Sequence, residues 1–321
     1  MVSAEPLVSI LIPVYNRAGI IAETLSSALA QTFENIEVVV VDNASVDGTW
    51  EVICAYAEKD SRVRPFRNGE NLGPVRNWLR CVEEAKGKFA KILWSDDLIS
   101  PDFLSKTVPY FDDPGVGFVY TATKIFTQQP DEGLLSYSNG ASGVYGTENF
   151  IQGDFNAQGY PLSPGCAIFY LEDVRNNLLL QVPNAVGSDF SMHAIGNDLL
   201  LFLLTARQYE KFAHVSEVLS YFRAHPGSIS IESKDGKLPL HYNLARAHFA
   251  EVYRPDLIGV LSARIFLDLR KYPGGRKYAL NEVSDFYVSK VNSRVGFLAL
   301  LAVFLRKVIV RCSRGFGARR S

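Results

Sequence analysis

The 321 residues are 47% hydrophobic and 21% charged, which excludes a disordered chain and accommodates one large domain with an appendage. The net charge of −1 conceals an asymmetry: from Lys290 onward the charged residues (Lys290, Arg294, Arg306, Lys307, Arg311, Arg314, Arg319, Arg320) are all basic, so an acidic body carries a tail suited to an anionic surface. Cys54, Cys81, Cys166 and Cys312 form no Cys-x-x-Cys pair and the first residues lack a secretory pattern, so reduced thiols and a cytoplasmic location are expected.

Residues 8–13 form an apolar, β-rich run that ends in proline, a first strand. Ile20, Ile21, Thr24, Leu25, Ala28 and Leu29 then recur at helical spacing, predicting a helix to about residue 31. Residues 36–41 are nearly all β-branched, as expected of a strand covered on both faces. Asp42 ends that strand, and a turn-rich stretch leads into a second helix over 50–57. The alternation repeats with a strand over 63–66 and a helix over 75–85 that Pro74 opens. A strand over 89–94, a helix over 103–111 and a strand over 116–120 follow. Strands alternating with helices argue for an α/β fold with a mostly parallel central sheet.

Residues 121–160 lose periodicity and read as a long irregular region with short strands, a type of segment that is often a binding loop. Residues 198–206 are apolar nearly all round and predict a buried helix opened by Asp198. Two strands, 211–216 and 219–223, come next. Helices are expected over about 240–269 and 278–311. His241 and His248 lie seven apart on one helical face and read as ordinary surface residues.

Trp94-Ser95-Asp96-Asp97 ends the fourth predicted strand with two adjacent carboxylates. Carboxylates at strand ends lie in the crevice where open α/β sheets bind ligands. Like charges side by side repel unless they share a cation, and hard oxygen ligands suit Mg²⁺ or Mn²⁺. The alternative is a solvated turn in which Asp97 or Ser100 caps the next helix.

Several motifs in order resemble family 2 glycosyltransferases. They are Val8-Ser9-Ile10-Leu11-Ile12-Pro13-Val14-Tyr15-Asn16-Arg17, Val39-Val40-Val41-Asp42-Asn43-Ala44-Ser45-Val46-Asp47-Gly48-Thr49, Asn71-Leu72-Gly73 with Arg76-Asn77, and Ser95-Asp96-Asp97. Gly196-Asn197-Asp198 and Tyr221-Phe222-Arg223-Ala224-His225-Pro226-Gly227-Ser228 resemble the acceptor half of the same fold. The resemblance implies a GT-A fold over residues 1–230, with a nucleotide half to about 120 and an acceptor half beyond it. Residues 231–321 are then a helical C-terminal extension.

It also implies roles. Pro13, Tyr15, Arg17 and Asp42 would frame a uracil-type base, Arg76 and Asn77 would meet phosphate, and Asp96 would lie near the ribose. Asp97 and His225 would hold Mn²⁺ or Mg²⁺. Many relatives carry Asp or Asn where this chain has Trp94. Asp198 would be the general base of inverting transfer, with Asp189 as a competitor. On their own chemistry Asp42 also suits an Asx turn, Tyr15 a packing role, Arg76 a surface ion pair, and Asp198 a helix cap.

Residues 295–305 are strongly apolar but too short for a span of about twenty residues, and Arg306-Lys307 follow. A helix lying on the cytoplasmic face of the inner membrane is expected. The expected function is transfer from a nucleoside diphosphate sugar, UDP-linked by preference, to a glycan or lipid-linked acceptor in surface polysaccharide or glycolipid assembly. No nucleic-acid partner is expected. The alternatives are a non-catalytic sugar-nucleotide-binding protein of this fold and a nucleotidylyltransferase.

Overall fold

The apolar runs of the first hundred residues form one wing of a single sheet. Strands β1 (Val8–Val14) and β2 (Ile36–Asp42) are buried along their whole length, which is why their sequences are continuous rather than alternating. Along β2, Val38 and Val40 enter the core on one face while Val39 and Val41 enter the core on the other. Helices α1 (Ile21–Leu29) and α2 (Thr49–Lys59) cover the first face, and α3 (Pro74–Glu84) covers the second. The structure, a computed structural model, describes residues 5–228 and 235–290 with the isolated positions 231, 233, 295, 296, 300, 301, 303 and 305.

Strand β3 (Val63–Arg67) pairs parallel to β2, and β4 (Phe89–Ile92) parallel to β1. Proline does not end β1 as its sequence suggests. Pro13 sits opposite Val41 on the β2 side, beyond Leu11, where the β4 ladder stops. A residue without an N–H is tolerated where one neighbour has ended.

Downstream come β5 (Leu98–Ile99), helix α4 (Phe103–Thr107), β6 (Val116–Phe126), β7 (Leu134–Ser136), β8 (Gly143–Gly146), helix α5 (Thr147–Phe155) and β9 (Ala167–Tyr170). Helix α6 (Leu171–Asn177), the one-turn α7 (Phe190–His193), α8 (Asn197–Gln208) and β10 (Lys211–Arg223) follow. The sheet order is β3-β2-β1-β4-β9-β6-β10-β5, with β7 on β6 and β8 on β10. Strand β9 runs antiparallel to both β4 and β6, and β10 runs parallel to β6. The carboxyl ends of β1, β2, β4, β6 and β10 therefore share one edge.

The two strands expected over 211–223 are one. Its pairing slips between Val215 and Ser220, so the irregularity that reads as a break is a bulged stretch in a continuous strand. The short strands expected in this region are β7 and β8, and partners distant in sequence add the end of β6 and helix α5 to its order.

Helices α9 (Lys237–Tyr253) and α10 (Ile258–Lys271) pack into the same apolar core as α3 and α8. The fully buried Arg246 guanidinium donates to both carboxylate oxygens of Asp154 on α5, at 2.8 and 2.7 Å. Such a pair offsets its desolvation only when both partners are present. His241 is not a surface residue. It is buried on α9, its ring 4.7 Å from His193 and 5.1 Å from Tyr278, and His248 is half-buried. The apolar face that reads as solvent-facing is turned to the core. No helix among the described residues is long and apolar enough to cross a membrane. Most of the expected membrane-surface segment, residues 297–299, 302, 304 and 306–321, lies outside the described residues.

Candidate active site

The shared strand edge opens into a cleft of about 690 Å³. Pro13, Tyr15, Arg17, Asn77, Asp96, Asp97 and Asp198 all line it. Among the residues lining it, Asp42, Arg76, Asp189 and His225 do not appear. Asp42 lies wholly buried at the end of β2, where it accepts from the Ser45 N–H at 3.2 Å and pairs with the Arg67 Nε at 3.1 Å. Arg76 is exposed and donates to the Ser191 hydroxyl.

Asn77 is a buried clamp. Its amide donates to the Val41 carbonyl at 3.1 Å and accepts from Asn68 at 2.9 Å. Asn68 also donates to Asn43, and Asn43 donates to Asn71 and to the Gly73 carbonyl. This amide network ties the turn before α3 to the end of β2. Buried amides are retained where each finds its partners. Arg17 donates to the Asn16 and Gly227 carbonyls, while its buried Nε has no partner among the described residues.

At the end of β4 the two carboxylates are held from β10. The Arg223 N–H donates to Asp97 Oδ1 at 2.8 Å, and its Nε donates to the Asp96 carbonyl at 3.0 Å. The Arg223 guanidinium continues to Glu23 on α1. Burial and then the neighbouring Asp96 charge push Asp97 well above the usual carboxylate range. Beneath them the fully buried Lys91 donates to the Ile92 and Gly165 carbonyls and lies over the Phe103 ring. Burial pulls its ammonium down to about 7, against the charges of Cys166 and Asp97.

His225 meets Asp96 rather than Asp97. Its Nδ1 lies 2.7 Å from the Pro226 carbonyl, which can only accept, so Nδ1 carries a proton. In the neutral ring Nε2 then turns a lone pair toward Asp96 Oδ2 at 2.9 Å. Two acceptors at that distance need a proton or a cation between them. This nitrogen–oxygen pair suits a hard divalent cation whose remaining ligands would come from outside the protein, since no group of three or more His, Cys, Asp or Glu among the described residues is placed to hold one ion.

Asp198 sits in the first turn of α8, not at its cap. Gly196 precedes it at φ 113°, and a side chain there would also strike Ala245 Cβ at 2.7 Å. Asp198 Oδ1 accepts from the Gly196 and Leu199 N–H groups at 2.9 and 2.8 Å. Oδ2 accepts from the Tyr242 phenol of α9 at 2.7 Å. No cation is among its partners, and burial raises its pKa to about 6 against those hydrogen bonds. Asp189, by contrast, caps α7 through the Ser191 N–H and also accepts from Gln181. Tyr242, Arg67, Arg223 and Lys91 are absent from the sequence-derived site; a cation inside an apolar strand was the one available signal, at Lys91.

A family model described as Glycosyl transferase family 2 matches residues 9–175. An uncharacterized glycosyltransferase of Haemophilus influenzae is 36% identical over 105 residues, 33% of this chain and 42% of its own length. The UDP-Glc:alpha-D-GlcNAc-diphosphoundecaprenol beta-1,3-glucosyltransferase WfaP of Escherichia coli is 28% identical over 229 residues, 70% of this chain and 80% of its own. The crystal structure of S. aureus TarS 1-349 with UDP-GlcNAc superposes with a TM-score of 0.57 at 16% identity, covering 98% of this chain and 91% of that one. At that identity the likeness is one of fold. Asp198, His225 and Tyr242 lie beyond the stretch the family model matches.

Proposed function

The chain belongs to glycosyl transferase family 2, and from that premise we propose that it moves a sugar from a nucleoside diphosphate sugar to an acceptor hydroxyl, inverting C1. The observation that carries this reading is that Asp96–Asp97 and Asp198 line one cleft. The nucleoside would lie against Pro13, Tyr15 and Arg17 at the ends of β1 and β2. Asp42 would act at the base through its fixed carboxylate, and Asn77 through the turn it clamps. The diphosphate would extend toward Asp96 and Asp97, with the Arg17 guanidinium lining the same cleft. The exposed Arg76 is at most an outer contact.

Mn²⁺ or Mg²⁺ would be held by Asp97 and His225, with Asp96 drawn in by its contact to His225. When bound, the cation supplies positive charge against the diphosphate oxygens. The chain's own residues do the rest. Asp198 Oδ2 takes the proton of the acceptor hydroxyl as its oxygen bonds to C1, and the C1–O bond to the diphosphate breaks with its electron pair on the phosphate oxygen. Tyr242 is a positioning residue: with Oδ1 engaged by two N–H groups and Oδ2 by the phenol, it sets which lone pair faces the cleft.

WfaP, by its name, uses UDP-Glc and a diphosphoundecaprenol-linked GlcNAc. A UDP-sugar donor and a glycan or lipid-linked acceptor in bacterial surface polysaccharide assembly are the corresponding proposals here, with the basic tail reaching the cytoplasmic membrane face. Family membership argues against the nucleotidylyltransferase alternative. The non-catalytic alternative is met by experiment: Asp198→Asn should bind UDP and Mn²⁺ like the unmodified chain yet lose sugar transfer. Retained transfer would remove Asp198 as base.

A further inference from the structure

Trp94 ends the stretch before the two carboxylates, and its indole is built into place. The ring lines the cleft, lies 4.6 Å from the Trp78 ring, and donates from Nε1 to the Ser163 hydroxyl at 2.8 Å. Across Gly165 stands Phe222. A Cβ at 165 would come within 2.9 Å of Trp94 and 3.1 Å of Phe222, so the glycine lets the two rings close up. Phe222 in turn meets the Tyr137 ring edge-on at 6.2 Å, and the Tyr137 phenol accepts from the Leu162 N–H. Trp78, Trp94, Phe222 and Tyr137 are all cleft-lining. They form a continuous aromatic wall.

The wall joins the two ends of the site. Trp94 stands two residues before Asp96, and Phe222 immediately before the Arg223 N–H that holds Asp97. At the other end Tyr137 lines the same cleft as Asp198. Whatever occupies the cleft between diphosphate and base therefore lies against aromatic rings. We propose that this wall is a sugar subsite, on which the C–H face of a pyranose stacks while its hydroxyl edge turns to the polar side of the cleft. The inference rests on the transferase reading above, and the favoured ring is the acceptor's, since its hydroxyl must reach Asp198. An alkyl chain suits the rings but offers no hydrogen bond to the hydroxyls and carboxylates that line the same cleft. A pyranose has both faces.

Calorimetry on the whole chain tests this, with UDP, UDP-glucose, methyl β-D-glucopyranoside and hexanol as probes in Mn²⁺. Trp94→Leu should weaken glycoside binding about three- to tenfold, the range expected for an aromatic contact, and leave UDP unchanged. Trp94→Phe keeps the ring face but not the Ser163 bond, and should bind the glycoside within about twofold of the unmodified chain; a purely structural tryptophan would show no such rescue. If instead the gap between UDP-glucose and UDP closes in Trp94→Leu, the stacked ring belongs to the donor. Glycoside binding that is absent or insensitive to Trp94→Leu, an equal loss for UDP, or hexanol bound as well as the glycoside would each overturn the proposal. Failure of UDP to bind the unmodified chain would instead count against the transferase reading itself.

Discussion

The two carboxylate centres of the cleft are both buried and both shifted toward the protonated form, yet they are built differently. At the end of β4, Asp97 faces the like charge of Asp96 and takes hydrogen bonds from a strand end. At the start of α8, Asp198 has only neutral donors: two backbone N–H groups and a phenol. The first centre concentrates negative charge and sets His225 Nε2 2.9 Å from Asp96 Oδ2, a pair that a proton or a cation bridges. The second isolates one carboxylate that can carry one proton. Similar desolvation thus prepares one site for an ion and the other for proton transfer.

Exchanging the acids for amides separates the centres most sharply. Asp198→Asn should lower transfer about 10²- to 10⁴-fold, the usual span for a lost general base, with nucleotide affinity intact in calorimetry. Asp97→Asn should lose the Mn²⁺-dependent part of nucleotide affinity. If both variants show the same pattern, the division between the centres is wrong.

Stability should respond next. Because burial raises the folded pKa of Asp198 to about 6, above the ordinary carboxylate value of 3.8, the folded chain holds the proton more tightly than the unfolded one. Stability from this residue therefore falls as pH rises from about 4 through about 6, by up to about 3 kcal/mol. Asp198→Asn should flatten that dependence in urea titrations and be the more stable protein at pH 7. A dependence of the opposite sign would contradict the burial argument.

Tyr242→Phe leaves the Asp198 centre standing but removes one donor. The Asp198 pKa, read by carbon NMR, should rise by about one unit, since a hydrogen bond to a charged group is worth about 1.5 kcal/mol or more. The acid limb of the transfer profile should move with it. An unmoved pKa would make the phenol a packing group. The smallest effect belongs to Asp189→Asn, which should change transfer less than about twofold, because Asp189 caps a short helix away from the cleft lining.

The first centre was legible in sequence and the second only in part. Strand-end motifs bring Pro13 and Asp97 to one cleft because short buried strands and their turns are local patterns and a parallel sheet delivers their ends to one edge, whereas Asp42 lies buried outside the lining. Partners from distant segments were illegible: Arg67 on Asp42, Arg223 on Asp97, Tyr242 on Asp198. Each is an ordinary residue type whose role comes from topology. His225 was read as a partner of Asp97, but its contact is with Asp96 and depends on how β10 meets the end of β4. The burial of His241 was misread because a polar residue on a helix reads as solvent-facing until another element covers it. Trp94 reads in sequence as a missing carboxylate; its contacts with Trp78 and Ser163 come from two separate segments.

The central claim is that Asp96–Asp97 and His225 form the cation-dependent end of a nucleotide-sugar site. Calorimetry of UDP binding, with and without Mn²⁺, in the unmodified chain and in Asp97→Ala tests it most directly. The account predicts binding that strengthens at least tenfold with Mn²⁺ in the unmodified chain, a gain of about 1.4 kcal/mol, and no such gain in the variant. Equal binding with and without Mn²⁺, unchanged in Asp97→Ala, would contradict it.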